Sequence, residues 1–219
     1  MITTFLRQVP YFVYLSDEHL TALAQWAVRR SFASDEIIFT EGERSTGLWI
    51  LEAGIVKVYK LATNGDEYVL RLVAAGDAIN DVAVLDGGAN LANASAVSDV
   101  SAWVIPTIMF RQILDTDCTM ALAVIQGLAG RVRQLVFQLE DLALRSVTGR
   151  LARFLLEQVE NPALTSPDIT WMLIASYLAT TPETVSRSLH SLAEMGAIQF
   201  DHHRIIIVKV DLLREASLL

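Results

Sequence analysis

The sequence predicts an α+β fold, with an antiparallel sheet domain first, a long helix next and a compact helical module last. Three observations carry this reading. Gly42, Gly54, Gly65 and Gly76 punctuate the first half at spacings of 12, 11 and 11 residues. From Ala121 onward, apolar residues recur at alternating steps of 4 and 3. The last third holds two capped helical stretches followed by two apolar runs around a short polar turn. Composition sets the frame: 219 residues, 53% apolar and 19% charged, with a net charge of -8. Such a chain suits one large domain or two small ones, and is too apolar to be disordered. Cys118 is the only cysteine, so a disulfide scaffold is excluded.

Between the glycines lie Leu48–Leu51, Ile55–Tyr59 and Tyr68–Val73, which alternate or are continuously apolar. Short strands bounded by turn glycines predict a sandwich or barrel. Val100–Ile105 adds a strand with Val100, Ala102 and Val104 on one face, and the sheet part ends at Pro106. From Thr107 the pattern is helical. Ala121, Ile125, Leu128, Val132, Leu135, Leu139 and Leu142 make a stripe of about three heptads, with Arg131, Arg133, Gln134 and Gln138 off it. This narrow stripe predicts a parallel homodimeric coiled coil; the other reading, a helix packed on its own domain, usually buries a broader face.

No membrane contact is expected. The longest uncharged runs, Cys118–Gly130 and Ile169–Pro182, fall short of the roughly 18 residues of a bilayer span. Met1–Arg7 lacks the basic start and apolar stretch of a signal peptide, which points to a soluble, cytoplasmic protein.

After Arg145, a helix is expected over Ser146–Glu160, with Val147, Leu151, Phe154, Leu155 and Val159 on its buried side. Asn161–Pro167 reads as a loop. Thr170 caps a short helix Trp171–Leu178. Thr181 caps a second, with Pro182 at its first position, and Gly196 ends it. Ala197–Phe200 and Ile205–Val208, joined by Asp201-His-His-Arg204, form a hairpin. Two helices joined by a tight turn, then a hairpin, make a winged helix-turn-helix. On the second helix Val185, Leu189 and Leu192 should face the core, while Glu183, Ser186, Arg187 and His190 form a polar stripe. In the major groove, Arg187 can bond guanine N7 and O6 together, Glu183 can accept from a cytosine amino group and Ser186 can serve either edge. The plainer alternative is that Glu183 and Arg187 form only an exposed i,i+4 ion pair.

All three parts together resemble the CRP/FNR superfamily of bacterial transcription regulators. The resemblance is carried by the glycines with Gly76-Asp77, by Val147-Thr-Gly-Arg150, by Ile174-Ala-Ser-Tyr-Leu178 and by Thr181-Pro-Glu-Thr-Val-Ser-Arg187. It implies a β-roll sensor of the cyclic-nucleotide-binding-like, jelly-roll type over 1–106, a dimerisation helix region over 107–145 and a winged helix-turn-helix domain over 146–219. It implies double-stranded DNA and RNA polymerase as partners, with Thr181, Glu183, Thr184, Ser186, Arg187 and His190 at the DNA and Ile125, Leu128, Val132, Leu135, Leu139 and Leu142 at the dimer interface. Glu183, Ser186 and Arg187 are similar to the FNR-like branch, which reads TTGAT half-sites in an inverted repeat. The rival reading is a small-molecule-sensing β-roll module that acts on a protein partner without specific DNA binding.

Cyclic-nucleotide control is not expected. Counting from Gly76-Asp77, the family's Gly-Glu pair falls on Asn80-Asp81 and its Arg-Ser or Arg-Thr pair on Leu91-Ala92, so both are broken. Leu72–Phe110 holds no Lys, Arg or His, but does hold Asp77, Asp81, Asp86 and Asp99. A buried phosphate without a cation is costly. The positions resembling the receptors' base-contacting pair are Leu135 and Val136. An effector pocket would therefore involve Asp81, Val82, Leu91, Ala92, Leu135 and Val136. An iron–sulfur cluster needs about four cysteines and is excluded, whereas haem, needing an axial His, Cys, Met or Tyr, is not.

His19 reads as an exposed helix start, Cys118 as a small buried or inert thiol, and His202 and His203 as solvent-exposed or phosphate-contacting residues at the wing tip. Trp171 and Met172 stand where the family usually has basic or amide residues, and Ala179 where it often has Gly. Fewer phosphate contacts imply a shallower salt dependence. The net charge supports this view: residues 1–144 carry -7 and residues 145–219 only -1. No catalytic constellation, metal-ligand spacing or phosphate loop appears, so an enzyme is the least favoured class.

Overall fold

In a computed structural model the chain is described for residues 2–13, 15–160, 168–201 and 204–219. It divides into two compact units, residues 1–60 with 71–133, and residues 61–70 with 134–219.

The first unit opens with α1 (Ile2–Leu6) and a 3-10 turn at Pro10–Phe12, which the sequence pattern did not announce, and α2 (Asp17–Trp26), whose start at Ser16-Asp-Glu-His19 it did. Ser16 caps α2 by accepting from the His19 N–H. The strands follow as β1 (Val28–Phe32), β2 (Ile37–Phe39), β3 (Gly47–Ala53), β4 (Val56–Leu61), β5 (Glu67–Val73), β6 (Ala78–Ile79), β7 (Asn93–Ala96) and β8 (Val100–Pro106), with α3 (Asp81–Asp86) between β6 and β7; the last residue of β4 and the first four of β5 fall in the stretch 61–70 grouped with the second unit. They form two antiparallel four-stranded sheets, β1-β8-β3-β6 and β2-β7-β4-β5: the glycine spacing predicted a sandwich or barrel, and the family resemblance implied this β-roll. Gly42, Gly54, Gly65 and Gly76 all have φ between 80° and 91°. Gly54 is doubly required, because a Cβ there would also lie 2.3 Å from the Asp99 carbonyl oxygen.

One apolar cluster, including Leu51, Val56, Val73, Ile79 and Val100, belongs to the strands. A second joins the N-terminal helices to α4 (Thr107–Thr116) and the start of α5 (Cys118–Leu144) through Leu6, Phe12, Leu20, Phe110 and Met120. Along α5, Leu128 packs partly against this second cluster. The remaining large seam residues, Ile125, Val132, Leu135, Leu139 and Leu142, are 39–66% exposed in the isolated chain. Length and composition alone would let α5 cross a membrane, which the count of uncharged runs did not register. Arg131 and Arg133 sit near its middle, where a charge in hydrocarbon is costly, and the heptad spacing accounts for the apolar positions without a bilayer.

The second unit contains α6 (Val147–Glu160), α7 (Trp171–Tyr177), α8 (Pro182–Glu194), the hairpin β9 (Ile198–Phe200) and β10 (Ile205–Ile207), and α9 (Val210–Ala216). Leu151, Phe154 and Leu155 of α6 are buried as expected. Val159 is not: it is half exposed, because the last turn of α6 runs past the core. The expected loop at 161–167 lies outside the described residues. Helix α9 was unforeseen. Its Leu213 and Ala216 are buried, and the chain end approaches α6 so closely that a Cβ at Gly149 would lie 3.0 Å from the Leu219 carbonyl carbon.

Candidate functional site

The helix-turn-helix is built by caps. Thr170 Oγ1 accepts from the Leu173 N–H at 3.2 Å to start α7. At its end the Thr180 N–H reaches back to the Ala175 carbonyl at 3.0 Å, and Ala179 takes φ of 51°. That left-handed position is normally a glycine's. Ala179→Gly should therefore raise stability by about 1 kcal/mol, read as a higher urea midpoint at unchanged slope; a lower midpoint would show that the turn is not strained.

Thr181 then caps α8, accepting from the Thr184 N–H at 3.4 Å, with Pro182 at the first position. Val185, Leu189 and Leu192 are fully buried, and Ser188 beside them accepts from Thr148 of α6 at 3.1 Å. This fixes the opposite face outward: Glu183, Ser186, Arg187 and His190 are all exposed. The Glu183 carboxyl is held below its usual range, first by a hydrogen bond from Thr181, then by its own backbone N–H and last by the Arg187 charge. Arg187 donates Nη2 to Thr184 Oγ1 at 3.0 Å. Thr181 and Thr184 thus act inside the first turn, orienting Glu183 and Arg187.

His190 is less free than its stripe position suggested. Its Nδ1 lies 2.8 Å from the Ser186 carbonyl oxygen, and its ring meets Phe200 of β9 edge-on at 5.0 Å. Trp171 meets the same Phe200 edge-on at 6.2 Å, so the unexpected tryptophan ties α7 to the wing, while Met172 is 70% exposed. Asp201 and Arg204 close the wing turn, the Arg204 N–H donating to Asp201 Oδ1 at 3.1 Å. His202 and His203 lie outside the described residues.

The β-roll part corrects the charge count. Asp81, at the start of α3, is buried and accepts from the Tyr11 hydroxyl at 2.7 Å, with Arg131 Nη1 of α5 at 3.9 Å. Arg71, at the end of β5, pairs with Asp77 at 3.3 Å and donates to the Ala78 carbonyl at 3.0 Å. Burial, then the Arg131 charge, lowers the Arg71 pKa, which places the two guanidinium groups within each other's field. The segment Leu72–Phe110 lacks cations, but Arg71 and Arg111 stand one residue beyond its two ends and Arg131 arrives from a later helix. Positive charge is therefore not missing here.

Asn80 holds φ of 69°, the backbone form a glycine would supply, and donates to Ser45 Oγ and Asn90 Oδ1, each at 3.0 Å. The Asn80-Asp81 pair thus keeps the turn and the carboxylate while departing in sequence. Of the other effector candidates, Ala92 is buried, Val82 half-buried and Leu91 57% exposed. Leu135 and Val136 are exposed and belong to the second unit.

His19 also differs from its expected solvation. Its Nδ1 lies 2.6 Å from Asp117 Oδ2, and Asp117 in turn caps α5 by accepting from the Thr119 and Met120 N–H groups at 2.8 and 3.3 Å. Although desolvation opposes it, the Met120 and Thr119 bonds and His19 hold the Asp117 carboxyl below its usual range. Cys118 is exposed. Among the described residues, no group of three or more His, Cys, Asp or Glu is placed to hold a metal ion.

Comparisons with known proteins match both halves. Residues 29–117 match the cyclic nucleotide-binding domain family, and residues 149–216 the Crp-like helix-turn-helix domain family. The probable transcriptional regulator flp of Lacticaseibacillus casei is 30% identical over 210 residues, 93% of each chain. The cyclic AMP receptor protein of Thermus thermophilus is 26% identical over 208 residues, 95% of this chain and 96% of that one. Among solved structures, FixK2 from Bradyrhizobium japonicum superposes with a TM-score of 0.78 at 25% identity, covering 87% of this chain and 97% of its own.

Proposed function

The chain belongs to the CRP/FNR superfamily of transcription regulators, and on that premise we propose that it is a homodimeric, sequence-specific DNA-binding protein of the FNR-like branch. Its target is an inverted repeat of TTGAT-like half-sites, and RNA polymerase is its partner at the promoter. The observation that carries this reading is the outward stripe Glu183, Ser186 and Arg187 on a helix whose other face is fully buried. Its first turn orients the two charged members through Thr181 and Thr184. Two such helices, related by a dimer of α5 seams, would lie about one DNA turn apart, which requires a two-fold repeat.

Cyclic nucleotide does not control the protein in this reading. The reason is the occupied state of the sensor's charges: Asp81 already faces Arg131, and Asp77 already faces Arg71. An incoming phosphate would have to displace a carboxylate from its guanidinium. Leu91, where the receptors' phosphate-gripping arginine is expected, offers no replacement.

Selection of binding sites from random duplexes, at a stated salt concentration, tests the proposal. A palindromic motif supports it. A protein that works only through a protein partner would return none. Within the selected motif, Glu183→Ala should relax preference at one base pair per half-site by about tenfold to a hundredfold, with a smaller change in overall affinity. A variant that discriminates among half-sites as the parent does would remove Glu183 from the base contacts.

A further inference from the structure

Tyr11 sits where two independent features meet. The first is a notch in α5. Gly127 carries no side chain, and a Cβ built there would lie 2.3 Å from Tyr11 Cε1 and 2.9 Å from Cδ1, so the ring rests against bare helix backbone. The second is the charged cluster. The Tyr11 hydroxyl donates to Asp81, which also faces Arg131, and Arg131 is one turn beyond Gly127 on the same face of α5. Phe12, the next residue, is fully buried and meets Phe110 of α4 at 6.3 Å. One 3-10 turn therefore anchors to α4 by Phe12 and grips α5 by Tyr11.

The charges close among themselves. Asp81 and Asp77 stand against Arg131 and Arg71, and the phenol satisfies a further lone pair on the Asp81 carboxylate. Burial, with the Asp81 charge next, pushes the Tyr11 hydroxyl well above its ordinary value, so it stays a proton donor at any physiological pH. Leu128 and Val132 of the seam each follow a pinned residue by one position, so the rotation of α5 about its axis decides where that seam points.

We propose that the polar site of the sensor is filled by the chain itself, and that Tyr11, seated on Gly127 and bonded to Asp81, is a pin that fixes the rotation of α5 and hence the direction of its dimer seam. Release of the pin frees the first half of α5. The effect on DNA rests on the regulator reading above; the effect on α5 does not.

Hydrogen exchange on the full-length protein tests the pin, read at the amides of residues 118–133. Tyr11→Phe keeps the ring and deletes the hydroxyl; Gly127→Ala keeps the hydroxyl and fills the notch. Tyr11→Phe should speed exchange in that segment by about tenfold, the worth of one hydrogen bond to a charged acceptor; Gly127→Ala, whose Cβ lifts the ring off the helix, should speed it as well, by less because alanine favours the helix. Exchange within about twofold of the parent for both variants overturns the pin. Phe12→Leu separates this from ordinary packing: if, after correction for its own loss of thermal stability, it speeds the same amides as much as Tyr11→Phe does, the pin is overturned. On the selected DNA motif, Tyr11→Phe should shift the half-saturating concentration by about fivefold or more. Unchanged affinity overturns the coupling to DNA. A parent protein that selects no motif overturns the regulator reading instead, and exchange still decides the pin.

Discussion

Val132→Glu combined with Leu139→Glu is expected to convert the protein to a monomer and to lower DNA affinity by about a thousandfold or more. Both side chains are about 60% exposed in the isolated chain, at 59% and 66%, so neither is needed for folding of its own unit. They lie two helical turns apart on the heptad stripe, and in a parallel dimer each faces its own copy. The double substitution therefore removes four apolar side chains from the seam and sets four carboxylates there, unpaired. Leu135 is left intact because it was also an effector candidate, so the result speaks only to the interface. Sedimentation equilibrium should report the single-chain mass of 24.2 kDa where the parent reports twice that. A variant that still sediments as the parent does would refute the seam.

That prediction depends on a stripe visible in the sequence, and the reason is physical. Period carries through when one side of an element is buried and the other is not. Strands β3, β4 and β5 were foreseen because bulky or β-branched residues fill them and glycines with positive φ bound them. Strand β7 was missed although it is buried throughout, since Asn93-Ala-Ser-Ala96 has neither bulk nor alternation. Strand β1 was missed for the opposite reason: Val28-Arg-Arg-Ser31 is exposed residue after residue at a sheet edge, where pairing with β8 holds it in place of a hydrophobic face. Short α9 lacks a side-chain cap, and its packing against α6 supplies what local sequence does not.

The charge balance around Asp81 failed for a related reason. A count along a segment treats the chain as the neighbourhood, whereas the cations near Asp81 come from β5 and from the middle of α5. Tyr11 comes from a turn that periodicity could not resolve. Helix α8 was easier because its geometry is local. Cap, proline, buried face and polar stripe all fall within one stretch of helix. Only the engagement of His190 with Phe200, across the wing, needed the fold.

If Arg187 reads a base in each of two half-sites as proposed, Arg187→Ala should cost about a hundredfold or more in affinity for the selected motif, because a bidentate arginine contact is lost twice. The folded state should not notice. Arg187 is exposed, it donates to Thr184 in the same helical turn, and the buried residues Val185 and Leu189 beside it keep their packing. Thermal stability should therefore match the parent's. Two further variants separate base reading from simple charge. Arg187→Lys preserves the charge but not the planar fork, and should lose nearly as much discrimination as the alanine variant. Thr184→Val preserves Arg187 but removes its orienting oxygen, and should lose an intermediate amount. A phosphate contact would behave differently, since Arg187→Lys would then bind almost as the parent does, and Arg187→Ala would weaken all sequences alike while reducing the salt slope by about one per half-site. The pattern across three variants and two salt concentrations thus decides whether the guanidinium reads a base.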